Sequence, residues 1–222
     1  MKLELAGQAT ERSTAATDAL LAMAAVLAIL VLRRHTATSF GRSVWQGSLA
    51  ALALASILGA VAHGLALPDD SRDLLWQPLY LSLGVTMALF VVGAVRDWRG
   101  DTAARRALLP MLALAVMFYG LTRLTDGNFL AFVVFEAGAL LFSLAVYLAL
   151  VAGPRRSGAG VMAAALAVSL GAGAVQASKI GSVHLVWEFD HNGVFHLVQL
   201  LGIVLLVAAL RRLLPPITAD PA

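Results

Sequence analysis

Seven apolar stretches run through a chain of only 222 residues, each close to the roughly 20 residues that an α-helix needs to cross a bilayer core of about 30 Å. They fall near 15–32, 44–66, 74–95, 107–122, 129–152, 158–178 and 193–210, and the joints between them are short. Little chain is left for a domain outside the membrane. With 60% hydrophobic and only 13% charged residues, the composition supplies too little polar surface to wrap a water-soluble globule, which excludes a soluble enzyme. The expected fold is all-α: a polytopic bundle of seven transmembrane helices forming one domain over residues 1–222.

The joints carry breakers and charges, among them Leu67-Pro68-Asp69-Asp70, Thr125-Asp126-Gly127-Asn128 and Gly153-Pro154-Arg155-Arg156. Ahead of the first stretch, Lys2 and Arg12 are balanced by Glu4 and Glu11, and no cleavage-like site precedes Arg33, so this stretch reads as a retained helix rather than a leader. The 16 Lys and Arg residues divide 11 to 5 between the two sides of the spans, with Arg33, Arg34, Arg42, Arg96, Arg99, Arg105 and Arg106 on the richer one. Basic loops stay cytoplasmic, which predicts an outer N-terminus and an inner C-terminus. The same clustering accounts for the net charge of +3 and the pI near 9.8 without a nucleic-acid surface. Trp45, Trp76, Trp98 and Trp187 lie near span ends, as interfacial residues do. Gly158, Gly160, Gly171 and Gly173 make the sixth span a helix that neighbours can approach closely. The Ala-, Leu- and Arg-rich usage suggests a bacterial inner (plasma) membrane, with membrane lipids as the surroundings.

Sorted by this topology, 10 of the 13 acids and 4 of the 5 histidines fall on the outer side. Part of that is the complement of the positive-inside bias, but the groups inside the spans need partners of their own. His63 closes the second span, and Asp73 follows at the head of the third across a joint short enough to keep both at one interface. Glu136 lies about two turns inside the fifth span, where a buried carboxylate requires a proton, a cation or a hydrogen-bond partner. Asp18, about a turn inside the first span, reads either as a similar group or as part of a helix start.

The densest polar run, Glu188-Phe189-Asp190-His191-Asn192-Gly193-Val194-Phe195-His196-Leu197-Val198-Gln199, leads into the seventh span. On a helix, Asn192, His196 and Gln199 share a face, whereas His191 lies about 140° from His196 at roughly 100° per residue. The two histidines converge only if His191 precedes the N-cap; otherwise His196 is the ligand and His191 stands beside the site. Asp190 or Asn192 would serve equally as a helix cap. His184 and Lys179 have no assigned role and read as loop residues.

With no cysteine in the chain, any metal must be held by His, Asp or Glu. Neutral imidazoles with carboxylates suit zinc, whose open position holds a water of pKa about 7. Such a site beside lipid is placed to hydrolyse an amide or ester near a head-group, with Asp73 or Glu136 as general base or orienting a ligand histidine. Seven spans, a His late in the second, an Asp soon after and paired His residues opening the last helix resemble the CREST superfamily of membrane hydrolases. That group includes alkaline ceramidases, progestin/adipoQ receptors and haemolysin III-like proteins. The resemblance implies a zinc site with three His ligands, here His63, His191 and His196, with an Asp and a Ser near the metal, and hydrolysis of a lipid substrate. Asp73 takes the place of the Asp. The family's Ser precedes its His by four residues, where this chain has Gly59, and Ser56 lies seven back. The last pair is HxxxxH rather than HxxxH, with Asn192 at the family's first His position. Asp190, Asn192 and Gln199 would then support the ligands by hydrogen bonding.

Two other classes fit the same residues. A haem electron-transfer protein needs only His63 and His196 as axial ligands. A non-catalytic sensor or transporter would use the outer His and acid cluster to bind a cation or respond to pH.

Overall fold

The computed structural model describes residues 4–125, 129–153, 156–179, 182–184 and 187–217. Its helices are α1 (Ala9–His35), α2 (Phe40–Gly64), α3 (Asp69–Arg99), α4 (Asp101–Leu124), α5 (Phe129–Ala152), α6 (Ala159–Ser178) and α7 (His191–Leu213). All seven are long and apolar enough to cross a membrane. Helices α1, α3 and α4 begin five or six residues ahead of their apolar stretches, because Glu11, the Asp69-Asp70 pair and Asp101 stabilise a first helical turn without being apolar. Ser39 caps α2 by accepting the Arg42 N–H at 3.1 Å, and Asp190 caps α7 by accepting the Gly193 N–H at 2.9 Å. Asp126, Asn128, Pro154 and Arg155 of the expected joints, and Lys2 and Asp220 of the charge division, lie outside the described residues.

Six helices close a ring. α1 packs on α2 and α7, α2 on α3, α3 on α5, α5 on α6, and α6 on α7, while α4 lies along the outside of α3 and meets α5 only lightly. Large apolar side chains cover the exterior, with Leu109 77%, Met117 68% and Leu124 85% exposed on α4. Polar and charged groups such as Asp18, Asp97, Glu136 and His196 are buried instead. An exterior as apolar as the interior, with backbone polar groups satisfied within helices, is the arrangement that lipid as solvent selects. This is an integral membrane protein.

The two ends are fastened differently. At the end holding the start of α1, the Ala6 N–H donates to the Gly64 carbonyl and the Ala66 N–H to the Glu4 carbonyl, both at 2.9 Å. A two-stranded antiparallel hairpin, β1 (Val183–His184) and β2 (Glu188–Phe189), precedes α7 there; the apolar and polar pattern does not predict it. The Ser13 hydroxyl donates to the Glu188 carbonyl at 2.7 Å, fastening β2 to α1. At the other end, Asp97 is fully buried, accepting from the Tyr147 hydroxyl at 2.7 Å and from Arg96 at 2.9 Å. Arg96 also donates to Asp101 at 3.0 Å, joining α3 to α4 and, through Asp97 and Tyr147, to α5.

The tryptophans divide in a way that position near a span end does not reveal. Trp98 and Trp187 are exposed at 43% and 64%, as interfacial residues should be. Trp45 is instead fully buried against Phe90 and Gly93, and Trp76 lines an internal cavity.

Candidate functional site

The ring encloses a cavity of about 390 Å³, within the size range of small-ligand sites, and each of its six helices contributes to the wall while α4 contributes nothing. On α2 the lining runs from His63 down to Ser48, which at 1.5 Å per residue is about 22 Å, roughly two-thirds of a bilayer core. The wall changes character along that length. Near the α1-start end it carries Asp18, His63, Glu136, His191, His196 and Gln199, a polar collar. Deeper, Leu49, Leu52, Met87, Phe90, Leu140 and Leu206 surround an apolar shaft.

Each collar residue is held by a different helix contact. His196, 8% exposed, places Nδ1 3.1 Å from the Thr17 Oγ1 and Nε2 3.4 Å from the Asp18 Oδ1, longer than an ordinary hydrogen bond. The Thr17 hydroxyl has a single proton and donates it to the Thr14 carbonyl at 2.9 Å. The ring thus bridges Thr17 and Asp18 of α1, and which nitrogen donates depends on its tautomer. Asp18 reaches this position because α2 has Gly59 opposite: a Cβ there would stand 2.6 Å from the Asp18 Oδ2.

His63 points its Nδ1 at the Glu11 carboxylate, 2.7 Å away, and its ring meets the edge of Trp76 at 5.4 Å. Glu136 is 5% exposed and lines the cavity with no hydrogen-bond or ion-pair partner among the described residues. Asn192 accepts from the Gln176 side chain at 3.1 Å, binding α7 to α6. The Asp190 carboxylate, besides capping α7, accepts from the Thr14 hydroxyl at 2.9 Å.

Of the residues singled out from sequence, His63, His191, His196, Glu136, Ser56, Asn192 and Gln199 all border this one cavity. Asp73 does not: it is exposed on the first turns of α3, outside the lining. Asp190 lies just behind the wall as the cap of α7, so His191 is the first helical residue rather than one preceding the cap. It is thus separated from His196 by five helical positions, the arrangement in which the two rings diverge. Lys179 stands at the rim, exposed, and His184 sits on β1 away from the cavity. Asp18 also lines this cavity. Its depth of one turn allowed two readings, and only its contact with Gly59 and His196 separates them. Thr17 gave no signal of its own.

Among the described residues no three His, Asp or Glu side chains come together as a metal shell. His63 is turned to Glu11 and His196 to Thr17 and Asp18, so the ligands that the CREST resemblance implies border one space without converging on one point in it.

Residues 13–215 match a family described as "Family of unknown function (DUF6962)". No curated protein and no solved structure matches the chain.

Proposed function

The chain belongs to this family of unknown function, DUF6962, and we propose from its cavity that it binds an amphipathic lipid within the bundle and hydrolyses an amide or ester at the ligand's head group. The observation that carries the binding is the gradient along the cavity wall. An apolar shaft under a polar collar is complementary to a chain with a polar end and to little else. On the positive-inside reading the collar faces the outer leaflet, where the head groups of membrane lipids lie.

Hydrolysis is supported by the chemistry of the collar. His196 places an imidazole in the cavity wall, and its unprotonated ring nitrogen is a base there. A water held between His196 and the ligand carbonyl would pass its proton to the imidazole as its oxygen attacks, Asp18 would stabilise the imidazolium, and that proton would go to the departing nitrogen or oxygen as the C–N or C–O bond breaks, giving the acid and the amine or alcohol. Glu136 and Ser56 border the same space and supply hydrogen bonding to the head group. Zinc, the cofactor that the CREST resemblance implies, supplies an activated water where it is bound. The described residues do not form its shell, and the steps above need none.

Detergent-purified protein offered a panel of long-chain amides and esters should release product, with His196→Ala slower by about 10²-fold or more, the usual contribution of a general base. Undiminished turnover in His196→Ala would contradict the assignment. Elemental analysis and an absorbance scan of the same sample decide the metal and haem readings: stoichiometric zinc lost in His63→Ala supports a zinc hydrolase, and a Soret band supports haem.

A further inference from the structure

The collar holds two buried carboxylates, Asp18 and Glu136. Glu136 is 5% exposed, borders the cavity and has no hydrogen-bond or ion-pair partner among the described residues. Asp18, equally buried, has the His196 Nε2 at 3.4 Å as its one polar partner among the described residues. Gln176 and Gln199, in the same wall, each hold a buried amide oxygen with no partner. Among the described residues no arginine lines the cavity, and the one lysine that does, Lys179, is exposed at the rim. Two carboxylates in a low-dielectric wall with no cation beside them take up a proton or are completed by a cation that enters the cavity.

The apolar shaft does not choose among amphiphiles. A hydrocarbon tail that leaves the bilayer for this cavity exchanges one apolar environment for another, so its transfer contributes little, and selectivity rests on the head group. The collar specifies what that head group must bring, namely positive charge and more than one N–H or O–H donor. A hydroxyl brings a single donor and no charge, and a quaternary ammonium brings charge without donors. A primary ammonium brings both, with three N–H groups on one charged centre. The aromatic residues Trp76, Tyr80, Phe132 and Phe195 also border the cavity, surroundings compatible with an ammonium.

We propose that the ligand is a long-chain amphiphile with a primary amine in its head group, the ammonium held between Glu136 and Asp18. This rests on the reading of the cavity as an amphiphile site and narrows it to a chemical class.

The test uses the full chain in nanodiscs of zwitterionic lipid, which do not concentrate amines electrostatically. Binding of a long-chain primary amine is compared by native mass spectrometry with that of the alcohol and the carboxylic acid of equal chain length. The amine should bind at least tenfold more tightly than either. Glu136→Gln should bring amine affinity down to that of the alcohol and leave the alcohol unchanged; Asp18→Asn gives the same readout if the first variant does not fold. Equal binding of all three, or preference for the acid, overturns the amine assignment while leaving the amphiphile site standing. Binding of none overturns that site as well. Amine preference that survives both substitutions overturns the role given to the two carboxylates.

Discussion

Trp45 is fully buried because position 93 is glycine. A Cβ on Gly93 would lie 2.5 Å from the indole Cζ2, and the ring is held on another side by Phe90 at a centroid distance of 4.8 Å. A rigid bicyclic side chain in that setting has no rotamer to retreat to, so Gly93→Ala should cost about 1–3 kcal/mol as overpacking. Gly120, in the interior of α4, has nothing near its missing Cβ, and Gly120→Ala should instead gain up to about 1 kcal/mol of helix propensity. Thermal unfolding of the two variants in one detergent should therefore shift in opposite directions, and parallel shifts would contradict the packing described. The candidate site obeys the same logic at Gly59 and Asp18. What could be read from sequence there was the set of polar residues placed in apolar surroundings, Glu136 most clearly, since its cost does not depend on which neighbour it meets. The partner of each was not legible. That Asp18 faces His196, and that His63 faces Glu11, is decided by how separate helices pack.

At the scale of elements, α4 separates what hydropathy can see from what it cannot. Its composition is that of a spanning helix like the others, yet it stands outside the ring and buries only Ala104, Ala115, Phe118 and Thr122. In water such a helix would show a polar outer face, but lipid is as apolar as the core, so hydropathy counts α4 as a span like the others. The existence of seven helices was thus readable, and their neighbours were not. The short hairpin before α7 escaped for another reason: two-residue strands fastened by side chains of α1 have no periodicity to detect. α4 lies on α3, where Ala115 and Phe118 fit against Gly84, and Phe118 also stacks on Phe135 at 5.0 Å and is tilted against Phe132 at 6.0 Å, both on α5. Phe118→Ala should lower stability by about 3–5 kcal/mol. Met117→Ala, one position away and 68% exposed to lipid, should stay within about 0.5 kcal/mol. Unfolding in mixed micelles measures both, and a similar loss for the two would place α4 inside the bundle.

On the scale of the whole molecule, the Asp97, Tyr147 and Arg96 network fastens one end and the polar collar of the cavity lies toward the other. A sequence with seven apolar stretches fixes the fold class through the length of a bilayer. It does not reveal that six of the seven helices enclose a shaft, because the shaft is lined with the same leucines and phenylalanines that face lipid elsewhere. The central claim is that this shaft holds a lipid chain, and it is tested most directly by asking what the protein carries. Purified wild-type protein and Leu52→Trp, whose indole would occupy the apolar part of the cavity, are extracted and their bound lipids quantified by mass spectrometry. The account predicts about one long-chain amphiphile per wild-type molecule and loss of most of it in Leu52→Trp at an unchanged melting temperature. Equal retention by the two proteins, or no amphiphile retained by the wild type, would contradict it.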